Sequence, residues 1–194
     1  MYQISSGLAD RIRRISTCDL ADIAGPSCVL DYRIRPMTDS GIIVGPAFTV
    51  SLPEGTCGFV TEAIQKARPG DILVIEGHRN PAFALWGDFR SHLAKKQGLT
   101  GVIMDGAIRD LNACCQVGLP LYAMSVTPLT STRDPGGQFN VPISCGGLTI
   151  HPGDIIVADD SGVICLEPEK LEEIVSKAEE KVAKQAAKIA SLYQ

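Results

Sequence analysis

The chain has 194 residues, long enough to bury a full hydrophobic core and within the usual range of a single domain. Apolar residues make up 45% of it and charged residues 21%, an ordinary globular balance that leaves little room for a long disordered segment. A formal charge of -4 argues against a nucleic-acid surface, whose affinity rests on a basic face, and directs attention to small molecules or other proteins.

Met1 to Ser16 mixes Asp10, Arg11, Arg13 and Arg14 with apolar residues and offers no continuous apolar core followed by a cleavage site, so secretion by that route is not expected. No apolar stretch approaches the roughly 18 to 20 residues that cross a bilayer, so no membrane partner is expected either. Leu8, Ile12 and Ile15 stand at near-helical spacing, and Ser16-Thr17 caps a second short helix through Ile23 that stops at Gly25-Pro26. Gly41 to Leu52 is rich in β-branched residues and interrupted by Gly45-Pro46, which predicts a bent strand or two short ones. Thr61 to Ala67 reads as a helix ended by Pro69-Gly70, and Asp71 to Glu76 as a short strand buried on both faces.

From Trp86-Gly87 the pattern turns helical, with Asp88 as a first-turn acid, Leu93 and Ala94 facing inward and Gly98 as the stop. Gly101 to Asp105 and Tyr122 to Val126 are the next predicted strands, and Ser131 to Asn140 is a polar, glycine-rich, exposed loop. Two apolar runs between Pro152-Gly153-Asp154 and Pro168, separated by Asp159-Asp160-Ser161-Gly162, predict a hairpin. Pro-Gly-Asp at 69–71 and again at 152–154 predicts two similar turns. Leu171, Ile174, Val175, Ala178, Val182 and Ala186 form one stripe of a long C-terminal helix, about 169–190, against a Lys/Glu-rich solvated face. The seven cysteines, Cys18, Cys28, Cys57, Cys114, Cys115, Cys145 and Cys165, are odd in number and form no CxxC pair, which predicts reduced thiols and a cytoplasmic protein.

Two segments carry candidate chemistry. After the strand ending at Asp105, the residues Gly106-Ala107-Ile108-Arg109-Asp110 fall where ligands of α/β proteins commonly bind. Arg109 offers a planar fork for a carboxylate, and Asp110 a hard oxygen for Mg²⁺. An adjacent ion pair accounts for the same two residues, and spacing alone does not choose. Upstream, Leu85-Trp86-Gly87-Asp88-Phe89-Arg90 opens a helix whose first backbone N–H groups can receive an anion. Asp88 there is either a proton-handling acid or a helix-stabilising one. Asp88 and His92, four apart, are a possible relay or a surface pair. Trp86 reads as a buried anchor. His78, His92 and His151 make no HxH or HExxH spacing, so no zinc site is expected, and nucleotide and hydrolase motifs are missing.

Asp105-Gly106-Ala107-Ile108-Arg109-Asp110, together with Leu85-Trp86-Gly87-Asp88, Pro69-Gly70-Asp71-Ile72 and Gly153-Asp154-Ile155-Ile156-Val157-Ala158-Asp159, resembles the RraA-like family from about Leu8 to Ala178. That family holds the 4-hydroxy-4-methyl-2-oxoglutarate aldolases, many of which also decarboxylate oxaloacetate, and the regulator of ribonuclease E activity. The resemblance implies an α/β fold, a single domain over 1–194 with layered β/β/α architecture of the swivelling type, assembled as a homotrimer or hexamer with sites between subunits. It implies a small 2-oxo acid substrate and Mg²⁺, or another divalent cation such as Mn²⁺, held by Asp110. It further implies that Arg109 binds the pyruvyl unit, that the backbone from Gly87 through Asp88 and Phe89 to Arg90 cradles it, and that Asp88 stands beside water held by the ion. The Arg-Asp pair favours the catalytic branch over a non-catalytic, protein-binding regulator. A glutamate from a neighbouring subunit is also expected, with Glu179 and Glu180 as candidates. His78 and Arg79, in the unusually basic loop Glu76-Gly77-His78-Arg79-Asn80-Pro81, are the expected partners of a second substrate carboxylate.

Overall fold

The computed structural model describes residues 4–39 and 41–193, so the outermost residues of the expected 1–194 domain lie outside the described residues. Two short helices, α1 (Ser6–Ile12) and α2 (Thr17–Ala24), open the chain, capped by the hydroxyls of Ser5 and Ser16. They are followed by β1 (Arg35–Pro36), β2 (Ile43–Ser51), α3 (Val60–Lys66), β3 (Ile72–Ile75), β4 (Ala84–Trp86) and α4 (Asp88–Gln97). Next come β5 (Gly101–Met104), β6 (Ala107–Ile108), α5 (Leu111–Val117), β7 (Leu121–Ala123) and β8 (Ser125–Val126). The last part comprises β9 (Gln138–Phe139), β10 (Ile143–Cys145), β11 (Leu148–Ile150), β12 (Ile155–Asp159), β13 (Gly162–Leu166) and α6 (Leu171–Ser191).

The main sheet runs β1-β7-β5-β3-β2-β12-β13, with β9 added against β2. β2, β3, β5 and β7 are parallel, as their unbroken apolar runs require, since a parallel sheet is covered on both faces. Leu73 and Ile75 of β3 face a core under α3, α4 and α5, while Ile72 and Val74 face a second core closed by the β10–β11 hairpin. A third core joins α1, α2 and α6 to β12 and β13. Leu30 N donates to Val163 O and the Arg35 guanidinium to Ser161 O, at 3.0 and 2.8 Å, which brings the two ends of the sheet close to closure.

Gly45-Pro46 does not split β2. The strand stays continuous but changes partners there: Ile43 to Pro46 pair with β12, and Ala47 to Val50 with β3. A Cβ on Gly45 would stand 2.6 Å from Gly70 O, so only glycine admits the neighbouring turn. The two Pro-Gly-Asp turns are alike in detail. Asp71 and Asp154 each accept from the backbone N–H three residues earlier, at 2.8 and 2.7 Å, and Gly70 and Gly153 have φ of 93° and 91°.

One expectation is corrected. Tyr122 to Val126 is not one strand: it breaks at Met124, and β8 leaves the main sheet for a small parallel sheet, β4-β6-β8. The long α6 carries the expected stripe: Leu171, Val175 and Ala178 are buried, Ile174 and Val182 half-buried and Ala186 exposed. A 21-residue helix is about 31 Å long, and its last turns outrun the body it packs on. Among the described residues no helix is long and apolar enough to cross a membrane.

Candidate functional site

The small sheet stands beyond the C-terminal ends of the main parallel strands: β3 leads into β4 and α4, and β5 into β6 and α5. Its two helix-entry corners meet. At the first, Trp86 is 1% exposed and donates from Nε1 to Ser91 Oγ at 2.8 Å, locking the turn from β4 into α4. This is the anchoring role expected of it. Gly87 then caps α4, leaving the backbone N–H groups of Asp88, Phe89 and Arg90 at an open helix start. At the second corner Arg109 N donates to Trp86 O at 2.9 Å, and Asp110 turns into α5 through a left-handed conformation, φ 56° and ψ 40°.

The corners are pressed together at Gly87. A Cβ there would lie 3.1 Å from both Asp110 Oδ2 and Arg109 Cγ, so a glycine lets the Arg109–Asp110 pair close over the α4 start. Arg109 Nε donates to Asp110 Oδ2 at 3.0 Å, and both side chains are about two-fifths exposed. Gly87, Asp88, Phe89, Arg90, Arg109 and Asp110 thus line one cleft of about 400 Å³. Within it they differ. The Phe89 ring is exposed, whereas the Arg90 guanidinium folds back onto Leu85 O and, at 2.7 Å, Cys57 O, tying a distant loop to β4. Asp88 and His92 are not bonded to each other, and His92 faces solvent.

Asp105 does not belong to this cleft, although the sequence places it in the same motif. It is buried and accepts from Gly77 N at 2.6 Å and Gly146 N at 3.1 Å, joining the ends of β3, β5 and the β10–β11 turn. Burial pushes its carboxyl above the ordinary range, against those hydrogen bonds. Cys114 is likewise pushed up by burial and shows no pairing with a base.

The expected second-carboxylate contacts are also displaced. His78 Nε2 meets Leu52 O at 2.6 Å, Arg79 pairs with Asp31, and neither lines the cleft. Both adopt left-handed backbone conformations, so the loop turns sharply and carries them away from it. Cys57, Gly58, Thr61, Thr130 and Arg133 are among the residues that line it instead. Of the two candidate glutamates, Glu179 is engaged within its own chain by Arg11, at 2.9 and 2.8 Å, and Glu180 lies near Lys184.

Asp88 and Asp110 are the carboxylates that line the cleft, and among the described residues no group of three or more His, Cys, Asp or Glu side chains is placed to enclose a metal. Such an open, hard-oxygen donor set suits Mg²⁺ or Mn²⁺ that keeps most of its water, and does not suit a closed zinc site.

The model of a family described as Aldolase/RraA, RraA-like, matches residues 17–165. A Halalkalibacterium halodurans protein named "Putative 4-hydroxy-4-methyl-2-oxoglutarate aldolase" is 35% identical over 188 residues, 97% of this chain and 90% of that protein. Among solved structures, an uncharacterized Pseudomonas syringae protein superposes with a TM-score of 0.89 at 23% identity, covering 99% of this chain and 91% of that one. The RNA-processing inhibitor RraA from Thermus thermophilis superposes with a TM-score of 0.72 at 26% identity, covering 79% of this chain and 93% of that one.

Proposed function

The chain belongs to the Aldolase/RraA family, and from that premise we propose that it is a divalent-metal-dependent carbon–carbon lyase. It cleaves 4-hydroxy-2-oxo acids such as 4-hydroxy-4-methyl-2-oxoglutarate to release pyruvate, and it decarboxylates oxaloacetate. The observation that carries this reading is the meeting of the two corners, which puts a guanidinium, two carboxylates and an open helix start in one cleft.

In this reading Arg109 pairs with the substrate's 1-carboxylate while the backbone N–H groups of Asp88, Phe89 and Arg90 hold the same unit. Asp110 would hold the Mg²⁺ or Mn²⁺ ion, with Asp88 beside the water it keeps, and the ion would supply Lewis-acid stabilisation of charge on the 2-oxo oxygen. Asp88 takes the proton of the 4-hydroxyl group. The C3–C4 bond then breaks, its electron pair passes into the pyruvate enolate, and C4 leaves as the carbonyl product. Proton return to C3 completes pyruvate. Loss of CO₂ from oxaloacetate leaves the same enolate, so one site serves both reactions. A homotrimer or hexamer is the proposed assembly, to be measured by light scattering.

The likeness to the RNA-processing inhibitor favours a second reading, a non-catalytic protein-binding regulator. The two are separated by incubating the protein with 4-hydroxy-4-methyl-2-oxoglutarate and with oxaloacetate, with and without Mg²⁺. Metal-dependent pyruvate release is expected from both. None from either would reject the lyase and leave the regulator.

A further inference from the structure

We infer that Ser91 on α4 and Cys114 on α5 form a buried clasp that sets where Arg109 and Asp110 stand over the α4 start, and so act as positioning residues for the reaction. This deepens the proposed lyase reading and rests on it. Neither side chain reaches the cleft, and both are fully buried. They belong to a closed ring of hydrogen bonds. Trp86 Nε1 donates to Ser91 Oγ at 2.8 Å, Ser91 Oγ to Cys114 Sγ at 3.5 Å, Cys114 Sγ to Arg109 O at 3.5 Å, and Arg109 N back to Trp86 O at 2.9 Å. Donors that follow one another in this way polarise and strengthen each other.

Further bonds tie the ring to both corners. Ser91 reaches Gly87 O at 3.1 Å through its backbone N and again through its hydroxyl, which shares one proton between Gly87 O and Cys114 Sγ. On the other side Cys114 N donates to Asp110 O at 3.0 Å, so Cys114 holds the carbonyls of both Arg109 and Asp110 around the left-handed turn. Burial pushes the Cys114 thiol up, which keeps it in the S–H form that can donate. The surroundings are apolar, with Trp86, Ala94, Ile108 and Cys114 in the core under α4 and α5. Packing alone would be served there by aliphatic side chains, whereas a buried polar ring carries a desolvation cost and gives directional geometry in return. That geometry joins the only two segments that bring Arg109, Asp110 and the α4 start together, where a displacement of about 1 Å is worth up to about 100-fold in rate.

The test measures kcat and KM for pyruvate release, together with calorimetric binding of oxalate, a planar dianion shaped like the pyruvate enolate, in the presence of Mg²⁺. Cys114→Ala is expected to lower kcat about 10-fold while KM stays within about threefold, and to weaken oxalate about 10-fold, because a shifted corner is felt by the enolate more than by the substrate. Cys114→Ser keeps a donor and an acceptor and should recover most of both losses. Ser91→Ala should match Cys114→Ala, and the double variant should be no worse than the worse single, since both cut one ring. The Cys114 pair decides the matter alone where Ser91→Ala does not fold. Unchanged kcat in Cys114→Ala, equal losses in Cys114→Ser, or losses that add in the double variant would assign the two residues to packing and overturn the clasp, with the lyase site left standing. Wild-type protein that neither releases pyruvate nor binds oxalate would instead remove the underlying reading, and this inference with it.

Discussion

Asp110 holds a left-handed backbone conformation, which costs an ordinary L-residue roughly 1–2 kcal/mol and which Asp and Asn tolerate best. Asp110→Asn therefore separates charge from backbone strain. It is expected to keep the thermal midpoint within about 2 °C while lowering metal-dependent pyruvate release at least ~100-fold, whereas Asp110→Ala should also lower the midpoint by about 3 °C. Arg109→Lys retains the charge but loses the planar fork, and a loss of about 10-fold in kcat/KM is expected. Near wild-type turnover in Asp110→Asn and Arg109→Lys would displace the chemistry from this corner. The motif around Arg109 and Asp110 was visible in the sequence, but it ran together residues of different kinds. Asp105 lies at the end of the same run and is a buried tie between loops, a role set by Gly77 and Gly146 far along the chain.

The β3–β4 loop owes its course to Asp31, whose largely covered side chain pairs with Arg33 at 2.7 Å and also with Arg79. Hydrogen bonding from the Arg33 side chain, with Arg79 adding, holds the Asp31 carboxyl well below its ordinary value of 3.8. A depressed acid stabilises the fold fully above that value, and the contribution is lost as pH falls through the folded-state value. Asp31→Asn should accordingly lower the thermal midpoint by roughly 3 °C at pH 7, and the gap to wild type should narrow steadily on acidification below pH 3.8. A gap that is unchanged at the lowest pH would assign the loop's course to something other than this charge cluster. The helices and long strands were legible because their periods, caps and stop glycines are local. The small sheet was not: Ala107–Ile108 and Ser125–Val126 are two residues each, too short to show a period, and Met124 N reaches Gly106 O across the chain. Arg133 was hidden for the same reason, since its loop is placed by Gly55, Cys57 and Gly58, more than seventy residues earlier in the chain.

Cys57 and Trp86 join the cleft wall to one of the three apolar cores, while Arg109, Asp110 and Asp88 lie outside all three, on corners that the small sheet holds beyond the main one. The nearly closed sheet and its packed helices therefore form a frame on which the site is mounted, and the resemblance to the family followed from the order of turns that builds this frame. The proposed ion, held by Asp110 and mostly by water, would contribute to chemistry without completing the fold, unlike a structural metal whose removal unfolds its domain. Removing divalent cations with EDTA is thus expected to abolish pyruvate release while shifting the thermal midpoint by less than about 2 °C, and added Mg²⁺ should restore the rate. Loss of the cooperative unfolding transition together with activity would mean that the ion holds the corners themselves together. Full activity in the chelated protein would mean instead that Arg109 and the α4 start stabilise the enolate unaided.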